Sequence, residues 1–157
     1  MIVEPINRIR AKIPNIEKDK PVRFSKQQIK DARLSLFSAE KLKQNEQDTL
    51  IFDLFSLWKD LLANPTNDNI HFTEFHKTIN KLGDLSALFS DEVLQDFILS
   101  LKQFLTCVNL ESRNHRVIIQ AHLNVINLAY MHNVKFKHSP TATKLFDMLN
   151  LAILQNT

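Results

Sequence analysis

From Ser25 onward, apolar residues recur every three or four positions, and that spacing predicts helix nearly everywhere. Ser25 followed by Gln28 has the form of a capping box. The pattern it opens runs to about Leu62, with Ile29, Ala32 and Leu36 in its first half and Leu50, Leu54, Leu57 and Leu61 in its second. Between them Lys43 to Asp48 is wholly polar, which fits one long helix with a solvated middle or two helices in sequence; Pro65 ends the pattern. A second helix is expected from near Asp68, with Phe72, Phe75, Ile79 and Leu82 on one face and Gly83 as its left-handed terminal residue. A third follows the candidate cap Ser90 and carries Val93, Phe97, Leu101 and Phe104, flanked by Leu94, Ile98 and Leu105. So broad a stripe requires more than one neighbour. A fourth, from about Ser112 to Met131, carries Ile119, Leu123, Ile126 and Tyr130. Ser139-Pro140 caps and opens a short last helix through Leu145, Met148 and Leu151.

Composition sharpens this picture. A single glycine and five prolines leave few turns, and the glycine-containing dipeptides of β-hairpins are absent, so the chain reads as all-α. At 157 residues it has the size of one domain with a core of its own. Residues 1–24 hold Pro5, Pro14 and Pro21 without a sustained period and read as an extended arm, with Ile6, Ile9, Ile13 and Ile16 available for docking. Residues 25–157 then form an antiparallel four-helix bundle followed by the short C-terminal helix. The net charge of +3 resides in the arm, which has six basic residues against three acidic ones. A basic arm on a neutral body is weak evidence for nucleic acid, whose groove binders concentrate charge on the folded part; an anionic membrane surface is the other reading of the arm. Apolar runs fall short of the ~20 residues that span a bilayer. Cys107, the one cysteine, has no internal partner, and the first residues lack the charged-then-apolar form of a signal peptide. A cytoplasmic, membrane-free domain is the expectation.

Candidate chemistry begins with the six histidines. His71 and His76 are five apart and His115 and His122 seven apart, with no carboxylate completing a metal set, so neither metal nor cofactor is expected. No nucleophile elbow or glycine-rich phosphate loop is present, and an enzyme is not expected. His122 lies ~60° from Ile119 on a helical wheel and reads as a packed histidine at the edge of the core. On the second helix, with Phe72 at zero, the apolar stripe centres near ~320°, His76 falls at ~40° and Asn80 at ~80°. These two border residues, one turn apart, are placed to face a partner. Trp58, Phe55 and the phenylalanines read as packing rather than as a base-stacking platform.

Several stretches, in matching order and spacing, resemble histidine phosphotransfer (HPt) proteins, in particular the single-domain kind found in alphaproteobacteria. Pro5 through Ile13 is similar to that group's proline-asparagine arm with its Leu-Arg-Ala-Lys-Val run. Phe89 through Leu105 resembles its third-helix segment, Ile119 through Ile126 its Ile-Asp-Ala-His-Ile-Asp-Ala-Ile stretch, and His138-Ser139-Pro140 its Asp-His-Pro. Such proteins present His-x-Leu-Lys-Gly on the second bundle helix, where this chain has Asn80, Lys81, Leu82, Gly83 and Asp84. The leucine is retained; the phospho-accepting histidine, the lysine and the glycine are not. An amide nitrogen has a delocalised lone pair and cannot take up a phosphoryl group, and Asp84 would repel an anion.

The resemblance therefore implies a pseudo-phosphotransfer protein of two-component signalling. It would dock a receiver domain or a histidine kinase through His76, Lys77, Asn80, Lys81, Leu82, Gly83 and Asp84 without carrying phosphate at the usual position. Two alternatives accompany it: an active phosphotransfer protein using His76, with Lys77 or Lys81 offsetting charge, and a helical scaffold with an unrelated partner.

Overall fold

A computed structural model describes residues 24–65 and 70–157. Among them are five helices and no strand: α1 (Lys26–Ala63), α2 (Ile70–Leu88), α3 (Glu92–Leu105), α4 (Arg113–Met131) and α5 (Pro140–Gln155). The all-α reading holds. By contact the chain divides into Met1–Glu40 and Lys41–Thr157, with the boundary inside α1. The arm expected over residues 1–24 lies, up to Arg23, outside the described residues, as does the expected second-helix start near Asp68.

Helix ends explain much of the architecture. At α1 the capping box is complete: the Gln28 amide donates to Ser25 Oγ at 3.1 Å, and the Ser25 amide donates to Gln28 Oε1 at 2.8 Å. The helix runs unbroken through Lys43–Asp48, and that stretch is not solvated throughout, because Gln47 is only 4% exposed. Ser112 and Ser139 cap α4 and α5, accepting from the amides of His115 and Ala142, and Pro140 opens α5. At 16 residues α5 is longer than the 14 of α3, so the last helix is not short. Its buried stripe is Ala142, Leu145 and Leu149; Met148 and Leu151 are exposed.

The end of α2 departs from expectation. Gly83 does not terminate it; the helix continues to Leu88 and closes on Ser90, whose φ is +57°. The Asp91 amide reaches back to Ser86 O and the Ser90 amide to Ala87 O, the paired bonds of a Schellman closure. Asn133 closes α4 in the same way at φ +53°, with Val134 bonded to Ala129 and Asn133 to Tyr130. Ser90 therefore ends α2 instead of capping α3. The N-cap of α3 is Asp91, whose side chain makes no capping bond.

Within Lys41–Thr157, α2 packs on α3, α3 on α4 and α4 on α5 around one core. Leu54, Phe75, Leu82, Phe97, Leu101, Ile119, Leu123 and Ile126 retain no exposed surface there. Trp58 of α1 stacks against Phe75 at 5.8 Å and donates its indole N–H to Gln120 Oε1 on α4 at 2.7 Å. The α3 stripe touches neighbours on both sides, which is why six of its residues are buried. No described helix is long and apolar enough to cross a membrane.

Candidate functional site

The residues singled out on α2 divide by helical geometry. Phe75, Ile79 and Leu82 face the core, which leaves Lys77, Asn80, Lys81 and Asp84 exposed and His76 half-buried at the margin. Leu82, expected on the docking face, is instead wholly buried in the core and presents no surface to a partner. Lys77 is paired with Glu74 at 3.3 Å, both in solvent. The His76 ring stands edge-on to Phe72 at 4.6 Å. Desolvation pushes its pKa below the ordinary 6.5, so the imidazole is neutral at pH 7.

Gly83 has a role the sequence pattern did not indicate. A Cβ at this position would lie 3.1 Å from Ile98 Cγ2 and 3.4 Å from Lys102 Nζ, both on α3. The missing side chain thus lets α3 approach and leaves a seat for the Lys102 ammonium, one turn beyond Asn80. Lys102 is the site residue missed by sequence reasoning. It belongs to another helix, and only the side-chain-free surface at Gly83 brings it against α2. The resulting face holds a neutral amide, a neutral imidazole and three lysines, with Glu74 and Asp84 as its acids.

Two polar constellations lie elsewhere. His122 is fully buried, as expected of a packed histidine. The Ile118 carbonyl can only accept, so His122 Nδ1–H donates to it at 2.9 Å, and Nε2 accepts the Ser100 hydroxyl at 2.8 Å. This is the hydrogen-bond order of a nucleophile and base. Ser100, however, sits mid-helix, where the neighbouring amides are used by helix bonds and offer no oxyanion donors. The pair satisfies itself within the core. Desolvation lowers the His122 pKa, with the Ile118 bond opposing it in part. Both lowered histidines bind a proton more readily in the unfolded chain. Stability should therefore be full above about pH 6.5 and fall as the pH drops through that value toward the lower folded pKa. Urea midpoints at decreasing pH check this, and His122→Gln should flatten the slope.

The second constellation is ionic. Asp91 is 2% exposed; its Oδ2 meets Lys43 Nζ at 2.8 Å and accepts from Gln47 Nε2 at 3.2 Å. Oδ1 has no hydrogen bond, and Lys135 Nζ stands 3.9 Å away. The Lys43 ammonium also lies 4.8 Å over the Phe89 ring. Nearby, Tyr130 OH donates to the Asp48 carboxylate, with Gln44 O at 3.1 Å. Burial and that carboxylate push the phenol well above its usual range.

Among the described residues no three His, Cys, Asp or Glu side chains form a metal cluster, and Cys107 is exposed. Comparison with protein-family models, curated proteins and solved structures finds no match to this chain.

Proposed function

We propose that this chain is an HPt-like docking protein of two-component signalling, an antiparallel four-helix bundle with an added C-terminal helix. In this reading it binds a receiver domain or a histidine kinase through α2 without accepting phosphate at the usual position. The observation that carries the reading is that Asn80 is exposed midway along α2, at the position where the resemblance puts the phospho-accepting histidine, with the Lys102 cation seated on the same helix at Gly83. A receiver's aspartate and its phosphate are anionic, so Lys77, Lys81 and Lys102 complement such a partner. Asn80 presents a donor and an acceptor but no nucleophile. Docking then proceeds whether or not the partner is phosphorylated, which gives the protein the role of adaptor or decoy.

One observation favours a second reading, in which His76 is the phosphoacceptor: its imidazole is neutral, and so nucleophilic, at pH 7. Against it, His76 lies one turn from Asn80, a displacement of about 5–6 Å along the axis.

The experiment separates the two. The chain and its His76→Gln variant are incubated with a receiver domain phosphorylated by acetyl phosphate, then assayed for acid-labile phosphate and for co-elution. Co-elution without label is the expected result, with Lys102→Glu weakening the complex at least about tenfold. Label on the unaltered chain that disappears in His76→Gln establishes the second reading. Absence of binding refutes both.

A further inference from the structure

We propose that the first half of α1 is a docking face for an acidic amphipathic helix of another protein. Every residue from Phe24 to Leu42 is exposed, including Ile29 at 42%, Leu34 at 56% and Phe37 at 66%. Lys26, Ile29, Lys30, Arg33, Leu34 and Phe37 line one open groove on this helix. With Ile29 at zero, Arg33 falls at ~40°, Lys26 at ~60°, Phe37 at ~80°, Lys30 at ~100° and Leu34 at ~140°. Cations and large apolar side chains therefore alternate within one sector of the helix. Within that sector the one acidic residue, Glu40, comes only near the end of the stretch; Asp31 lies on the opposite side. The opposite side carries Gln27, Gln28, Asp31, Ser35 and Ser38, where Gln27 Nε2 donates to Asp31 Oδ1 at 2.9 Å.

The helix's own stability does not account for this arrangement. The positive end of the macrodipole favours acidic side chains, yet the first turn has Lys26 and no acid, and in the second Lys30 and Arg33 outnumber Asp31. The charge is better matched by something outside the helix.

The same pattern decides what that partner is. A helix lying on a membrane segregates an apolar face from flanking cations, whereas here the cations sit between the apolar residues. A second copy pairing through the same face would set like charges against each other. The preceding residues, 1–23, carry six basic against three acidic side chains and also match poorly. A helix with apolar residues at every third or fourth position and Glu or Asp between them supplies both the apolar contact and the counter-charge. The inference rests on α1 alone and is independent of the reading of α2.

The test uses the full chain and two labelled peptides of about five helical turns that share one leucine face. One peptide has glutamate and the other lysine at every flanking position. Anisotropy titration at near-physiological salt should show binding of the acidic peptide at least about tenfold tighter than of the basic one. The Lys26→Glu/Lys30→Glu/Arg33→Glu variant should reverse the preference, and Phe37→Ser should weaken both peptides. Equal affinity for the two peptides on the unaltered chain overturns the proposal, as does binding of neither. It also fails if the chain instead sediments with phosphatidylserine vesicles that the acidic peptide does not displace. Light scattering that shows a dimer broken by the triple variant would assign the face to a second copy.

Discussion

Phe97→Ala is expected to cost about 3–5 kcal/mol of folding stability, read as a fall in the urea midpoint at an unchanged slope. Phe97 has no exposed surface, its ring centroid lies 4.6 Å from that of Phe146 on α5, and α3 is held between α2 and α4. Surrounded from several helices, the site cannot collapse around the deleted ring, so both the transfer loss and the cavity contribute. Phe75, equally buried against Trp58, should behave alike. Phe52, which is 73% exposed on α1, supplies the control and should change stability by less than about 0.5 kcal/mol on the same substitution. A loss below about 1 kcal/mol at Phe97 would mean that the α3 stripe is not the centre of the core.

Asp91→Ala should be comparably damaging, by about 3 kcal/mol, because it strips the counter-ion from Lys43, whose side chain is only 9% exposed. It also leaves the Gln47 amide without its acceptor on the α2–α3 turn. The damage is expected to come from the unpaired charge left behind rather than from a large intrinsic value of the pair. A double variant, Lys43→Met/Asp91→Leu, should therefore recover most of the loss, and a thermodynamic cycle on urea unfolding measures the coupling. If the double variant is as unstable as the single one, the ion pair is favourable in its own right.

The residues that were legible in the sequence are those whose signal is local. Ser25 with Gln28, Ser139-Pro140, the start of α4 near Ser112 and most of the α3 and α4 stripes act within a turn or two of themselves, and the structure places them as read, with Phe104 and Tyr130 only partly buried. What escaped depends on partners far along the chain. Gln47 looked solvated because its acceptor, Asp91, is 44 residues away. Gly83 looked like a helix end because glycine has two uses, and only the approach of Ile98 and Lys102 distinguishes them. The α5 stripe was misplaced because Leu145 is followed by apolar residues at both three and four positions, and the core takes Leu149. At the candidate site, Asn80, Lys77, Lys81 and Asp84 emerge on the surface expected of them, Leu82 turns inward, and Lys102 was invisible for the same long-range reason.

The chain's sole glycine is occupied where two helices touch, and among the described residues the left-handed corners fall to Ser90 and Asn133, at φ +57° and +53°. A left-handed backbone carries a steric penalty of roughly 1 kcal/mol in residues with a Cβ. The molecule therefore keeps latent headroom at these two exposed bends, where a residue suited to the left-handed region should raise thermostability without altering the buried stripes.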